Sequence, residues 1–459
     1  MIITSIPYKD QKTIKEWQGK HTAFGKWHEF RLDLNHNPFS FPEDYINDFS
    51  IITIRDKNES GSYSGTIASK TGYYSELSNK HNCLFDLELF NYKDKIISPD
   101  RLILSYHEQE TRFDFKKIIE LIQRSNSIDA RFLKLVLPVN SYKDLLLIAE
   151  LIETSTKPVL WGGLATYGPL SRILYSHLGA IGTYLGIASF PTASGQLTYE
   201  EAKNYRLDQI DSRFFLGGVI GNSCVNNSLG LTYYNCLFQQ RNLPALYLPF
   251  QVDQIEDFLA WVHDCSFRKK FYGFSITMPF KKVLAERFGS HLPAINLYDP
   301  ISNRTANTDI SALRKALEES KIKADDPVLI VGSGAMAETA LLLLATKHRV
   351  NIRARNKVRL NYLLTKYNKL RHLGNSILSE GYKLIINCRP LEADPENVIL
   401  EMKPDQTTKI IDLPYTQKET PLIAYCLKKN IPYIDGKVFW QWQAQEQEKI
   451  FLENIKDLS

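Results

Sequence analysis

Short apolar runs recur along the first 190 residues, at 2–7, 28–34, 50–55, 84–89, 101–107, 132–139, 158–164 and 180–187. Each is the length of a buried strand and is bounded by polar or turn-forming residues. Most are separated by helix-compatible stretches such as 114–124, apolar at Phe115, Ile118, Ile119 and Ile122, and 142–154. Strands that alternate with helices predict a parallel α/β sheet, and eight such units predict a closed (β/α)8 barrel. Two connections fit that scheme less well. The stretch 35–49 carries Pro38 and Pro42 and few helix formers, and the helix after the third strand is weakly patterned. Residues 198–212 are charged and read as a helix leading into a junction near Asp211. A new pattern starts at 214–221, with strand-like runs at 245–252 and 273–278 and a helix at 255–263. A further strand, glycine turn and helix occupy 327–344, and another strand follows at 350–353.

Composition changes this picture little. A chain of 459 residues is too long for one ordinary core, so two or three domains are expected. Its 44% hydrophobic and 23% charged content is that of a globular protein. A net charge of +5 over this length suits small anions and gives no reason to expect nucleic acid or an acidic membrane surface. The six cysteines form no CxxC pair, and several lie in apolar stretches, as expected of free thiols in a reducing compartment. The N-terminus reads as an immediate strand and not as a signal segment, and no apolar run is long enough to span a bilayer. The expectation is a cytoplasmic protein.

Candidate chemistry begins at Lys134, the one cation inside the run 132–139. Strand alternation puts it on the face of Phe132 and Val136. An ammonium there is costly unless it is paired or loses its proton, and a lysine that sheds its proton attacks carbonyls to form a Schiff base. A lysine snorkelling to solvent at a strand edge is the alternative. In a barrel, chemistry sits at the C-terminal ends of the strands. Glu29 and Arg31, Arg55 with Glu59 four residues on, His107, Arg172 and Gln196 all fall there. Each also has a structural reading, as an ion pair, a core histidine or a helix-face cation.

Residues 1–205 resemble the type I 3-dehydroquinate dehydratase family through Glu29-Phe-Arg-Leu-Asp33, Thr53-Ile-Arg55, Ser105-Tyr-His107, Leu133-Lys-Leu135, Ser171-Arg172 and Ser194-Gly-Gln196. The resemblance implies a Schiff base between Lys134 and the ketone of 3-dehydroquinate, with His107 moving protons in a syn elimination of water. It further implies substrate contacts from Ser5, Glu29, Arg31, Arg55, Arg172, Thr192 and Gln196. Thr192 stands where the family usually has serine, which keeps the hydroxyl. The loop around Glu59-Ser-Gly-Ser has fewer glycines than the family's.

In the second half, the run 327–344 takes a buried strand through Gly332-Ser333-Gly334-Ala335-Met336 into a helix. Helix N-termini bind phosphate through free N–H groups, and glycines admit close backbone approach. Arg355, Lys357 and Arg359 follow the next strand, where NAD would want an acid and NADP a cation. An ordinary solvated basic loop is the alternative for Lys357.

Residues 214–459 resemble shikimate dehydrogenase through Gly221-Asn222, Ser228-Leu229, Ser275-Ile-Thr-Met-Pro-Phe-Lys281, Ala294-Ile-Asn296, Asn307-Thr-Asp309, the glycine loop, Asp412-Leu-Pro-Tyr415 and Asp435-Gly436. The resemblance implies that Lys281 and Asp309 flank the reacting hydroxyl. By it, Ser228, Thr277, Asn296, Tyr415 and Gln443 hold the substrate. The same resemblance gives NADP(H) contacts from Gly332, Ser333, Gly334, Ala335, Met336, Arg355, Arg359, Leu413 and Gly436. Several positions depart from the family. Gly230 lacks the hydroxyl of the usual Ser-x-Ser-Pro, Ala335-Met336 alters the glycine loop, and Ala354-Arg355-Asn356 replaces Asn-Arg-Thr. Ser275 replaces an asparagine, and Asn387-Cys-Arg-Pro390 lacks a threonine.

The two resemblances imply a bifunctional enzyme that dehydrates 3-dehydroquinate and reduces the product to shikimate with NADPH, without a metal. The expected boundaries are 1–210 for the dehydratase barrel and 211–459 for the dehydrogenase. The latter divides into a substrate lobe at 211–312, a Rossmann-like NADP lobe at 313–437 and a returning C-terminal helix at 438–459. Two alternatives stand beside it. One is an active dehydratase fused to a degenerate dehydrogenase domain, in which Gly230→Ser tightens shikimate binding. The other is a non-catalytic metabolite sensor, which retention of His107, Lys134, Lys281 and Asp309 argues against. Oligomeric state and a preference for quinate or shikimate are not written in the residues.

Overall fold

A computed structural model describes residues 1–20, 25–93, 96–187, 192–193, 195–372, 381–389, 404–415 and 419–459. Eight parallel strands close into a barrel: β1 (Ile2–Pro7), β2 (Trp27–Arg31), β3 (Ser50–Thr53), β4 (Leu84–Glu88), β5 (Leu102–His107), β6 (Phe132–Pro138), β7 (Val159–Leu164) and β8 (Gly182–Gly186). The β1–β8 pairing, with Ile3 beside Tyr184, closes the ring, and β9 (Leu197–Thr198) extends from β8. The sequence places these strands within one to three residues.

Alternation along the strands builds the interior in layers. Ile3, Ile51, Leu84, Ile103, Phe132, Leu160 and Tyr184 form an apolar plug. Two residues further along the strands come Ser5, Glu29, Thr53, Asp86, Ser105 and Lys134, all buried. Thus the barrel carries a polar layer on top of its core, toward the C-terminal ends where loops can admit a ligand.

The connections have local causes. Helix Phe115–Asn126 is capped by Asp114, and helix Tyr142–Glu153 by a reciprocal box between Ser141 and Asp144. As its prolines predict, the β2–β3 connection holds only short 3-10 turns, at Leu32–Leu34, Pro38–Ser40 and Glu43–Tyr45. The helix after β3 is better formed than its pattern suggests. It runs Ile67–Lys80, capped by Thr66, and buries Lys70, Thr71, Tyr74 and Leu77. Two of those four residues are polar, so hydrophobic periodicity understates the buried face.

The remaining strands form two sheets. The first has the order β11 (Ala245–Gln251), β10 (Phe215–Gly221), β12 (Phe271–Ile276), β13 (Leu297–Asp299) and β14 (Arg304–Ala306). The second is parallel, in the order β17 (Arg371–His372), β16 (Arg349–Arg353), β15 (Pro327–Val331), β18 (Leu384–Asn387), β19 (Lys409–Asp412) and β20 (Tyr433–Asp435). Its central strands β15 and β18 are apolar but for the buried Asn387 at the end of β18, as a sheet covered on both faces favours. By compactness the chain divides into two units. One comprises Met1–Phe215, Asn235–Leu246 and Asp253–Lys270; the other comprises Leu216–Tyr234, Tyr247–Val252 and Phe271–Ser459. All six cysteines are free, and no described helix is long and apolar enough to cross a membrane.

Candidate functional sites

In the barrel, Lys134 does not snorkel. Its Nζ donates to Glu29 Oε1 at 2.6 Å and Asp86 Oδ2 at 2.7 Å, and lies 4.3 Å from the centroid of the Tyr184 ring. A hydrogen-bond chain fixes Glu29 from the other side. Gln196 Nε2 donates to Thr192 Oγ1 (3.0 Å), Thr192 to Ser5 Oγ (2.8 Å) and Ser5 to Glu29 Oε2 (2.6 Å). Burial opposes the charge on Glu29, but Lys134, Arg55 and Arg31 outweigh it and hold the carboxyl below its usual range. Arg31 is itself held bidentately by Asp33, at 2.9 and 3.0 Å.

Arg172 enters from helix Gly168–Ile173, which packs closely on β7: a Cβ on Gly163 would lie 1.9 Å from Ser171 Oγ. Arg172 Nε donates to the Gly163 carbonyl at 2.9 Å and Nη1 to that of Tyr184 at 3.0 Å. Burial lowers the Arg172 guanidinium to about 10. Glu29, Arg31, Arg55, His107, Lys134, Arg172, Thr192 and Gln196 all line one pocket, and Ser5 stands behind Glu29. Ser194 of the predicted motif lies outside the described residues.

His107 sits at the end of β5. Its Nδ1 lies 2.9 Å from Glu59 Oε2, which also accepts the His107 backbone N–H at 3.1 Å. Burial, then Arg55, Lys134 and Arg31, push the imidazole well below its ordinary value, so it is neutral. Burial and the charge of Glu88 push Glu59 up to about 8. The His107 Nε2 and Arg55 Nε atoms are buried without a hydrogen-bond partner among the described residues. Buried polar groups in folded proteins are rarely left so, and these two belong to residues of the same pocket. A second cavity of about 300 Å3 opens beside Glu59 and His107, lined by Asp56, Glu88, Glu108 and Lys117 among others. The fully buried Lys70 holds Glu88 at 2.5 Å and Asp56 at 3.3 Å.

Sequence reasoning did not mark Asp86, and it named Glu59 among the strand-end candidates without giving it a role. A lone aspartate at an inward-facing position of the apolar run 84–89 was the available signal for the first. The spacing of Glu59 from Arg55 was the signal for the second.

The second unit holds the other predicted cluster. Lys281 Nζ donates to Asp309 Oδ2 at 2.6 Å. Asn307 Oδ1 accepts the Asp309 backbone N–H at 3.1 Å, which orients the carboxylate. Asn296 Nδ2 donates to Thr308 Oγ1 (3.0 Å) and Gln443 Oε1 (3.2 Å), and its Oδ1 accepts the Thr308 N–H at 2.8 Å. Ser228 Oγ accepts the Gly230 N–H at 3.2 Å. Thr277 follows β12, with its N–H donated to the Ile220 carbonyl at 2.9 Å. Tyr415 lies close enough to Asp309 to feel its charge.

Around the glycine turn, Gly332 has φ +120°, and Gly334 opens helix Ala335–Leu344 with no atom of the described residues within 4 Å of where a Cβ would stand. That open helix N-terminus fits a phosphate. Leu413 and Gly436 adjoin each other, a Cβ on Gly436 meeting the Leu413 carbonyl at 2.5 Å. Ala335 begins the helix, while Met336 packs against the core. Arg355 is exposed. Arg359 is placed differently from expectation: it pairs with the buried Glu338 and donates Nε to the Ser333 carbonyl at 3.2 Å. Glu338 also takes Lys366 Nζ at 2.9 Å, so Arg359 shares this carboxylate, whereas Arg355 is exposed. Pro390 lies outside the described residues.

Comparison with known proteins follows the same division. Residues 5–212 match the model of the type I 3-dehydroquinase family, and residues 219–288 that of the shikimate dehydrogenase substrate binding domain. A 3-dehydroquinate dehydratase of Methanococcus vannielii is 29% identical over 190 residues, covering 39% of this chain and 86% of that protein. A shikimate dehydrogenase (NADP(+)) of Methanococcus maripaludis is 26% identical over 247 residues, covering 50% of this chain and 88% of that one. Among solved structures, the dehydroquinate dehydratase and shikimate dehydrogenase AroM of S. pombe covers 100% of this chain and 98% of its own, at 18% identity and a TM-score of 0.41.

Proposed function

We propose that this chain, which joins a type I 3-dehydroquinase region to a shikimate dehydrogenase region, is a bifunctional enzyme that converts 3-dehydroquinate to 3-dehydroshikimate and then to shikimate. The observation that carries this reading is Lys134, buried between Glu29 and Asp86 in one pocket with a neutral, half-unpartnered His107. Lys134, held between the two carboxylates, attacks the substrate ketone as the free amine. Loss of water from that adduct gives an iminium, which draws electrons from the adjacent C–H bond. His107 takes that proton and returns it to the departing hydroxyl, which leaves as water. Water then hydrolyses the iminium and frees Lys134. Arg172, with Arg55 nearby, supplies the guanidinium geometry that a substrate carboxylate requires.

In the second unit, Lys281 and Asp309 are the proton-handling pair beside the carbonyl that is reduced. Asn296, Gln443, Ser228, Thr277 and Tyr415 orient the ring substituents. NADPH, when bound, supplies the hydride. Gly332–Gly334, the start of the following helix, Leu413 and Gly436 hold it, with the exposed Arg355 as a reader of the 2′-phosphate. No step in this scheme needs a metal. We place the functional boundary near Asp211 and the enzyme in the cytoplasm.

A second reading, an active dehydratase with a weakened dehydrogenase, draws support from Gly230 and from Arg359, already engaged by Glu338. The test is purified protein supplied with 3-dehydroquinate and NADPH, with enone absorbance and NADPH followed together. Consumption of NADPH with appearance of shikimate supports the bifunctional reading. Enone accumulating at constant NADPH supports the second. Silence in both signals from folded protein overturns both.

A further inference from the structure

Gly230 draws attention to a residue that the sequence did not mark. A Cβ at position 230 would stand 2.9 Å from Cε1 of Tyr247 and 3.1 Å from its hydroxyl. The bare glycine is what admits this phenol, on β11, against the start of helix Leu229–Gln240, which follows Ser228. Adding a side chain there meets Tyr247 before it meets any ligand, so Gly230→Ser does not simply restore a missing hydroxyl.

From Tyr247 a directional chain of hydrogen bonds runs inward. Its hydroxyl donates to Ser275 Oγ at 2.6 Å, and Ser275 donates to Gln447 Oε1 at 2.6 Å. Gln447 Nε2 donates to the Asn296 carbonyl at 2.9 Å. Asn296 in turn bonds Thr308 and Gln443, and the residue after Thr308 is Asp309, the partner of Lys281. Gln443 and Gln447 lie one helical turn apart on the same face of helix Gly436–Leu458. All of Tyr247, Ser275, Gln447 and Asn296 are buried. Only one arrangement of donors satisfies the chain. The Asn296 carbonyl can only accept, so the Gln447 NH2 faces it; Gln447 Oε1 then accepts from Ser275 and, at 3.2 Å, from the Tyr234 hydroxyl, and Ser275 accepts from Tyr247.

We propose that Tyr247 is a positioning residue that, through Ser275 and Gln447, ties Ser228 and the start of helix Leu229–Gln240 to the Asn296–Gln443 pair. It thereby holds the two ends of the dehydrogenase pocket at the spacing of a ring bearing a carboxylate and vicinal hydroxyls. This rests on the dehydrogenase reading of the second unit. Tyr247→Phe keeps the ring and removes only the donor. Ser275 then loses the donor that fixes its hydroxyl, and its hold on Gln447 Oε1 loosens, while the Tyr234 hydroxyl and the Asn296 carbonyl still face that amide.

The experiment is steady-state kinetics of the full-length protein and its Tyr247→Phe, Ser275→Ala, double and Gly230→Ala variants, with dehydration of 3-dehydroquinate measured on each as a check of folding. Tyr247→Phe raises KM for 3-dehydroshikimate about tenfold, the loss of roughly one hydrogen bond, with kcat within about twofold. The double variant is no worse than the single ones, since one chain is broken once. Gly230→Ala shares the phenotype by displacing Tyr247. An unchanged KM in Tyr247→Phe, a lowered melting temperature with unchanged KM, or additive effects overturn the proposal while leaving the dehydrogenase reading intact. Should the wild-type protein not oxidise NADPH, that reading falls, and shikimate titrations followed by tryptophan fluorescence then decide this one. Affinity about tenfold weaker in Tyr247→Phe upholds it. Equal affinity, or no saturable binding to the wild type, overturns it.

Discussion

Glu59 and His107 form a pair whose proton affinities are moved in opposite directions by the same burial. Glu59 keeps its proton up to about 8, and His107 stays neutral. Once Glu59 ionises, its carboxylate accepts from Nδ1–H and leaves Nε2 as the base. Dehydration is therefore expected to rise with pH through about 8, and Glu59→Gln to abolish that rise and lower kcat about tenfold or more; a pH profile of kcat/KM checks both. The raised proton affinity of Glu59 also bears on stability. A carboxyl whose folded pKa is raised stabilises the fold below its unfolded value of 4.5, and that contribution is lost as pH climbs to about 8. The Glu59 contribution alone falls by about 1.4 kcal/mol for each pH unit, and His107 offsets it below 6.5, so the net fall is expected between 6.5 and about 8; Glu59→Gln should flatten it, as read from denaturant titrations at several pH values. His107 acts in the opposite sense, since it must charge on unfolding below 6.5, and its contribution is lost as pH falls.

At the scale of elements, the barrel strands place function by alternation, and the glycine turn does so by backbone conformation. Gly332 has φ +120° and its Cβ would lie 3.2 Å from the Cys388 backbone. Gly332→Ala is expected to strain the turn by about 1 kcal/mol or more and to raise KM for NADPH severalfold, with dehydration untouched. Parallel assays of the two activities check this. Helix Tyr142–Glu153 depends on its reciprocal cap. Ser141→Ala should cost about 1 kcal/mol, measured as a lower denaturation midpoint, without altering either active site. The strands were legible because each is an apolar run of strand length. The helix Ile67–Lys80 was less so, because Lys70 is buried on it and paired with Glu88 and Asp56, residues distant in sequence.

For the whole molecule, the two sites draw on different residues throughout, so the activities should separate. Lys134→Ala should remove dehydration by about a hundredfold or more and spare reduction, and Lys281→Ala the reverse, with each surviving activity certifying the fold. Sodium borohydride added during dehydration should trap substrate on Lys134, seen as a mass increase on its peptide; an unmodified lysine in active enzyme would sink the Schiff-base assignment.

By itself the sequence determined the eightfold alternation, the strand–glycine–helix turn and the lysine, histidine and arginines that line the barrel pocket, and it marked the Lys281–Asp309 pair. Those features are local: period, length and residue type at strand ends carry them. Only the tertiary structure decided which charge meets which. Asp86 reaches Lys134 because their strands close into one barrel. Glu338 captures Arg359 because the helix after the glycine turn packs against the next one. Tyr247 reaches Ser275, and through it Gln447, where Gly230 leaves it room. Pairings of this kind join residues far apart in the chain, and the energy that selects them comes from burial that no local pattern records.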